Sequence, residues 1–441
     1  MSEILRNHIW KTSLSLRYPG LNRLLSEMER SQWWKREQVA ELQHVKLLRL
    51  VDHAYRTVPF FRKRWDAIGF TPVDLTSETF KRLPLLSKRD IKQNLNMLVC
   101  PDLQPRARLN STGGSTGEPV QFYQDKNFSD IFYAAAIRHN CWSGWRSGLP
   151  VIRIWGNPAD IKSGFLRNIH RRLLGEFSVN SFQLDDKAFE RACQILTKEK
   201  PSLLIGYASA VDAFAEYLRK TGRTLKHRLR GIITSAELLT EDMRNRIEET
   251  FGVRVYDRYG CRETGLIASQ CEAGSYHVND ENILVETVAI DNGVEEFVIT
   301  DLNNLVMPFI RYRIGDIGRL SLESCPCGRG LSCLEMVGGR TTDLLLTGEG
   351  DVISGPSLTL VFKDVKEVRQ VQLYQPERGV LIVRMVRDDG YNQDIERLLM
   401  DRLRRYFGEQ IRIDFSYTAA IQREASGKYR FAISDIFRSQ S

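Results

Sequence analysis

From residue 150 onward the chain alternates short aliphatic and β-branched runs with longer amphipathic stretches. The runs Val151–Trp155, Ser202–Tyr207, Gly231–Ser235 and Val253–Tyr256 read as strands, with helices expected over Lys187–Thr197, Val211–Lys220 and Glu241–Thr250. That alternation predicts a parallel or mixed sheet in an α/β fold. Residues 1–100 read as a mostly helical lead-in. Within Leu21–Trp65, the residues Leu42, Val45, Leu48 and Val51 recur at near-helical spacing up to a break at Pro59. Ser87-Lys-Arg-Asp90 has the form of a capping box. Further on, Glu296–Thr300, Phe309–Tyr312 and Arg319–Leu322 follow one another through short connections, which predicts a more antiparallel lobe. Near 340 the register breaks, and a small α+β unit is expected from Asp343. It comprises a hairpin over Val368–Val386 turning at Glu377-Arg-Gly379, a helix over Asn392–Phe407 and a strand over Gln410–Tyr417. The expected domains are therefore 1–340 and 341–441.

Composition narrows the class. The chain has 441 residues, of which 42% are hydrophobic and 27% charged, so it reads as globular and too long for one core. No apolar run approaches the length of a membrane span. Met1 to Tyr18 mixes charged and apolar residues without the pattern of a signal peptide, so a cytoplasmic protein is expected. Net charge is +8, from 63 basic and 55 acidic residues, which suits an anionic small-molecule ligand. The basic clusters Arg167–Arg172 and Arg402–Arg405 read as solvated helix faces. There is no basic stripe with interleaved aromatics, so nucleic acid is not an expected partner.

The chemistry begins at Asn110-Ser-Thr-Gly-Gly-Ser-Thr-Gly-Glu-Pro-Val120. Gly113, Gly114 and Gly117 permit close backbone approach, and Ser111, Thr112, Ser115 and Thr116 add hydroxyl donors. Such a loop either cradles an anion with successive N–H groups or is a flexible linker. Five segments follow in order: Thr234-Ser-Ala-Glu237, Tyr256-Asp-Arg-Tyr-Gly-Cys-Arg-Glu263, Arg311-Tyr-Arg-Ile-Gly-Asp316, Gly338-Gly-Arg-Thr-Thr-Asp343 and Ser426-Gly-Lys428. Together they resemble the adenylate-forming superfamily of acyl-CoA synthetases and adenylation domains. The match is to the phenylacetate–CoA ligase family, in its branch associated with capsular-polysaccharide loci, over about residues 90–435.

The resemblance implies that a carboxylic acid attacks the α-phosphate of ATP, giving an acyl-adenylate and pyrophosphate. Two anions meet in that step, so charge neutralisation is the main demand. The Gly-rich loop would hold the β- and γ-phosphates, and Glu263 matches the magnesium ligand, a hard oxygen for a hard ion. Asp316 matches the acid that accepts from the ribose hydroxyls, and Arg340 an arginine near phosphate and ribose. Ser235, Ala236, Glu237, Asp257, Tyr259 and Gly260 fall where the family contacts adenine. Lys428 matches the catalytic lysine of a swinging C-terminal domain, with Thr342 and Asp343 at its hinge. The acyl pocket would involve Tyr133, Tyr207 and Ala208, and Trp142, Trp145 and Trp155 are either pocket or core aromatics. Two departures stand out. Arg262 occupies the place of a hydroxyl residue, and Val120 that of a lysine closing the loop.

Eight cysteines in such a chain argue for thiols or metal. Cys325-Pro-Cys327 and Cys271…His277 form two pairs whose residue types suit a closed structural zinc site, or else idle buried thiols. Similar arrangements occur in some members of the family. Cys333 and Cys261 are alternative ligands, and Cys100, Cys141 and Cys193 are expected in the core. Three functions remain open. The adenylate passes to coenzyme A, or to an amine or hydroxyl acceptor in polysaccharide biosynthesis, or the chain is a poorly active nucleotide-binding scaffold. The family resemblance also suggests a homodimer.

Overall fold

The computed structural model describes residues 3–112, 120–156, 170–181, 184–291, 294–340, 344–354, 358, 361–362, 365, 367–422 and 430–436. Strands β1 (Arg108–Ser111) and β2 (Gln121–Gln124) form an antiparallel pair beside the Gly-rich sequence. Next come β3 (Val151–Ile154), β4 (Glu176–Val179), β5 (Leu203–Tyr207), β6 (Gly231–Ser235) and β7 (Val255–Cys261). They are followed by β8 (Gly265–Gln270), β9 (Tyr276–Val278), β10 (Ile283–Asp291), β11 (Val294–Asp301), β12 (Tyr312–Ser321) and β13 (Cys333–Arg340). Among the described residues β3 to β13 form one sheet, ordered β10-β11-β12-β13-β9-β8-β7-β6-β5-β3-β4.

Strands β3 to β7 pair in parallel, and the remainder pair antiparallel. The helices Asp186–Glu199, Ala208–Lys220 and Glu241–Phe251 supply crossovers. Their apolar stripes, including Phe189, Leu196, Val211, Phe214 and Ile247, pack with the fully buried strand residues Leu204 and Ile232. The α/β class and both halves of the sheet pattern are as expected.

Three expectations change. In the helix Arg36–Thr57 the buried stripe is Val39, Leu47, Leu50, Val51 and Ala54, while Val45 and Leu48 are 54% and 39% exposed. Residues spaced strictly by three rotate backward by about 60° per step, so Leu42 and Val51 end on opposite sides. Phe309–Arg311 is not strand, because Arg311 sits at φ +50°, and β12 starts only at Tyr312 and runs on through Arg319. Cys141 is exposed, on the outward side of its helix, whereas Cys100 and Cys193 are buried as expected.

Residues beyond 343 have their own core. Strands β14 (Leu344–Leu346) and β15 (Val352–Ser354) pair antiparallel. The further strands β16 (Val368–Gln375), β17 (Val380–Arg387), β18 (Arg412–Tyr417) and β19 (Ala432–Ser434) form a sheet ordered β18-β17-β16-β19. Helix Gln393–Phe407, capped by Asn392, buries Leu399, Leu403 and Phe407 with Leu373, Leu381 and Val383. No helix among the described residues is long and apolar enough to cross a membrane.

Candidate active site and metal cluster

The parallel strands bring the scattered motifs together at their carboxyl ends. The register aligns Tyr207 with Ser235 and Ser235 with Arg258, so Tyr207–Ala208, Ser235–Glu237 and Asp257–Gly260 leave neighbouring strands side by side. The strand order reverses at β3, with β4 on one side and β5 on the other, and ligands gather in the crevice at such a point. Trp155 and Tyr207 stand there with ring centroids 4.3 Å apart.

Local backbone marks the same end. Ala236 adopts φ +68°, a left-handed conformation that costs a non-glycine residue about 1–2 kcal/mol. That kink turns Glu237 back so that its Oε2 accepts from Ser209 N (2.9 Å), at the start of helix Ala208–Lys220. Glu237 Oε1 is buried with no partner among the described residues. Gly260 is required where β7 meets β8, since a Cβ there would lie 2.3 Å from Gly265 O.

Three carboxylates here are held by tyrosine hydroxyls. Tyr312 OH donates to Glu263 Oε1 (3.1 Å), and both residues are buried. Tyr259 OH donates to Asp316 Oδ2 (2.9 Å). Burial pushes the Tyr312 hydroxyl well above its usual pKa, reinforced by the Glu263 charge, so it remains a donor. Gln124 fixes the Glu263 turn by donating to Arg262 O (2.8 Å), and Asn110 donates in turn to Gln124 Oε1 (3.0 Å). Asp257 is fully enclosed. It accepts from Thr234 Oγ1 (2.6 Å) and Tyr276 OH (2.8 Å), and burial raises its pKa against those two donors.

Thr112 and Val120 are hydrogen-bonded to each other, through Thr112 N to Val120 O (3.0 Å) and Val120 N to Thr112 Oγ1 (2.9 Å). Gly113, Gly114, Ser115, Thr116 and Gly117 between them lie outside the described residues, as do Thr342, Asp343 and Lys428. Of Arg340 only the backbone is described, paired with Asp316. Tyr133 stacks on Tyr18 (4.4 Å) and is 37% exposed, while Ala208 is buried. Trp142 and Trp145 are core residues: Trp145 packs on Trp10, and Trp142 faces the cysteine cluster.

That cluster joins Cys271, His277, Cys325 and Cys327, whose ligating atoms all lie within 4.8 Å of one another. Cys271 Sγ and Cys325 Sγ are 3.6 Å apart. A tetrahedral zinc with bonds of about 2.3 Å separates its sulfurs by roughly 3.7 Å, far more than a disulfide does. His277 Nε2 approaches Cys327 Sγ (3.2 Å), while Nδ1 lies 3.4 Å from Leu331 O, the carbonyl that would fix the tautomer of a ligand histidine. Burial lowers the His277 pKa to about 4, keeping the ring neutral. Ala273 N donates to Cys271 Sγ (3.3 Å). Cys333 lies on the Nδ1 side of the ring (3.5 Å), and Cys261 bonds Thr264, so neither belongs to the four.

Sequence reasoning quoted Tyr312, Arg258 and Arg262 without assigning them, and missed Gln124. A two-residue period does put Tyr312 on the face of Asp316 and Arg258 on the face opposite Asp257. Arg258 is buried and donates to His139 Nδ1 (3.0 Å) and Asn140 Oδ1 (2.8 Å), clamping helix Lys126–Trp142 to the sheet. Nothing in the sequence marks Gln124.

Residues 345–435 match the family model described as the CapK C-terminal domain. The chain is 28% identical over 325 residues to a phenylacetate–coenzyme A ligase of Thermus thermophilus, covering 70% of this chain and 72% of that one. It is 23% identical over 410 residues to protein CapK of Staphylococcus aureus, covering 90% and 89%. The fold matches the crystal structure of 2-hydroxyisobutyryl-CoA ligase with 2-HIB-AMP in the postadenylation state. There the TM-score is 0.73 and the identity 19%, over 93% of both chains.

Proposed function

The chain is a relative of the phenylacetate–coenzyme A ligases and of CapK with the fold of adenylate-forming CoA ligases, and from that premise we propose that it activates a carboxylic acid with ATP and transfers the acyl group to coenzyme A. The carboxylate oxygen attacks the α-phosphorus, pyrophosphate leaves, and the coenzyme A thiol then displaces AMP from the mixed anhydride. The observation that carries the reading is the pair Tyr312–Glu263 and Tyr259–Asp316 beside the carboxyl ends of β5, β6 and β7. In this reading Glu263 holds the magnesium ion and Asp316 the ribose. Ser235, Ala236 and Glu237, together with Asp257, Tyr259 and Gly260, flank the adenine. Tyr207 and Ala208, with Tyr133 nearby, border the acyl group. The glycines and hydroxyls of 111–117 and Arg340 serve the phosphates. Lys428 comes from a mobile unit over 341–441, turning at Thr342–Asp343, to stabilise the transition state.

The cysteine cluster holds one structural zinc in this reading. Four protein ligands leave no open coordination position, so the ion would stabilise the fold without entering the reaction. The motif resemblance to the capsular-polysaccharide branch supports a second reading, with an amine or hydroxyl acceptor in place of the thiol.

The test is pyrophosphate release across a panel of carboxylic acids, with and without coenzyme A. Acid-dependent release accompanied by thioester formation supports the proposal. Release without thioester, but with product on an added amine or hydroxyl, moves the assignment to the second acceptor. No acid-dependent release would end both readings.

A further inference from the structure

We propose that Arg262 is a ligand of the β- and γ-phosphates of the bound nucleotide and of the pyrophosphate product. The inference rests on the reading above, and it adds a cation held by described residues to the proposed Arg340 and Lys428. Arg262 is exposed, and its Nη1 donates to Ser111 O (3.1 Å), the carbonyl just before Thr112. Thr112 and Val120 are bonded to each other. One nitrogen of the guanidinium is thus fixed at Ser111, beside the Thr112–Val120 pair. A guanidinium carries five N–H donors in a rigid fork, a shape suited to phosphate oxygens.

The backbone behind Arg262 is also fixed. Gln124 Nε2 donates to Arg262 O (2.8 Å), and Tyr312 and Gln124 hold the adjoining Glu263. Arg262 therefore joins the proposed magnesium ligand Glu263 to Ser111, and a triphosphate chain that meets both would pass its guanidinium. The described carboxylates at this end of the sheet are Glu237, Asp257, Glu263 and Asp316, and a polyphosphate brings several more negative charges. One magnesium ion alone does not balance that sum, and Arg262 would share the task with Arg340 and Lys428. A pre-anchored arginine loses little rotamer freedom on binding, which is an advantage over a free lysine.

The test compares parent, Arg262→Thr and Arg262→Lys by calorimetric titration with ATP, inorganic pyrophosphate and AMP, each with magnesium. Arg228→Ala serves as a control for loss of one surface charge, because Arg228 bonds Gly252 O near the opposite, amino ends of the strands. Losing a charge-assisted hydrogen bond weakens binding roughly 10- to 150-fold. Arg262→Thr should lose about that factor for ATP and pyrophosphate and keep parental affinity for AMP. Arg262→Lys should recover part of the loss, and the control should match the parent. Parental ATP and pyrophosphate affinity in Arg262→Thr would overturn the assignment, and so would an equal loss for AMP. A parent that binds AMP but neither ATP nor pyrophosphate would also overturn it while leaving a nucleotide site in place. A parent that binds no nucleotide at all would remove the functional reading and this inference with it.

Discussion

Replacing Arg138 by methionine should destabilise the protein by about 3–5 kcal/mol, because it strands a buried carboxylate. The side chains of Arg138 and Glu281 are 1% and 5% exposed. The guanidinium donates to Glu281 Oε1 (2.6 Å) and Oε2 (3.2 Å), Asn279 Oδ1 (2.7 Å) and Met28 O (3.0 Å). Without it, Glu281 keeps Ser31 Oγ (2.6 Å) as a side-chain donor, while the Lys46 ammonium bonds its backbone carbonyl and not its carboxylate. Burial alone would raise the Glu281 pKa, but the Arg138 charge and its hydrogen bonds bring it below the usual value. In the parent, this depressed pKa contributes stability that is present above about pH 4.3 and lost as pH falls through the folded value. In Arg138→Met the sign reverses. Burial then dominates, the folded pKa rises, and the carboxylate costs more as pH increases through it. The deficit against the parent, read from urea midpoints at constant slope, should therefore be larger at pH 8 than at pH 5. The double variant Arg138→Met/Glu281→Met should regain most of the loss, since apolar replacement of a whole buried pair is often neutral. A deficit under about 1 kcal/mol, or one that does not change with pH, would refute the reasoning.

Glu263→Gln should raise the magnesium concentration for half-maximal pyrophosphate release on the order of tenfold, with an unchanged urea midpoint. Unaltered magnesium dependence would move the ion elsewhere. Lys428→Ala should slow single-turnover adenylation on the order of 100- to 1,000-fold while nucleotide affinity stays close to parental, and a parental rate would remove its catalytic role. Purified protein should carry one zinc per chain, and both chelation and Cys325→Ser should lower the melting temperature. Metal content well under one, with Cys325→Ser as stable as the parent, would reduce the four residues to ordinary thiols.

What could be read from the sequence was whatever is local in the chain. Gly231–Ser235 and Glu241–Phe251 come out within a residue of their expected bounds, because buried parallel strands are continuous apolar runs and the helix between them is capped by Thr240. The Ser87–Asp90 capping box forms as written, since all its partners lie within three residues. The four metal-ligand candidates were legible by type, and Cys333 was separated from them only by the geometry of the imidazole. Illegible features depend on distant partners. Gln124 meets Arg262 from 138 residues away, and Arg311 leaves the strand because its side chain turns to Leu83 O and Glu286. The helix at 36–57 misled for another reason. Its hydrophobic residues outnumber its buried positions, so spacing alone selects no unique face.

Helix Lys126–Trp142 shows how these parts act on one another. Half of its buried residues are polar, with Asp130, Arg138, His139 and Asn140 beside Ala134, Ala135, Ile137 and Trp142. Burying such groups is costly unless each finds a partner, and the partners come from separate regions of the chain. His139 Nε2 donates to Gln270 O (3.0 Å), while Nδ1 accepts from Arg258 between Asp257 and Tyr259. Arg138 reaches Met28 of the helical lead-in and Glu281. Trp142 Nε1 donates to Gln32 Oε1 (2.9 Å), and its ring carries the Arg329 guanidinium at 4.4 Å and meets His277 edge-on at 5.9 Å. Arg329 is flanked on its other side by Trp33 (4.8 Å), and a Cβ on Gly330 would fall 1.8 Å from Trp34 O. The turn bearing Cys325 and Cys327 is thus seated on the lead-in and on the helix that also bears Tyr133. Gln32, Trp33 and Trp34 of the lead-in are therefore part of the wall around the cysteine cluster. Loss of a metal from the cluster would reach the candidate site through helix Lys126–Trp142 and through β9, where Tyr276, next to His277, bonds Asp257, so it should appear first as stability and then as rate.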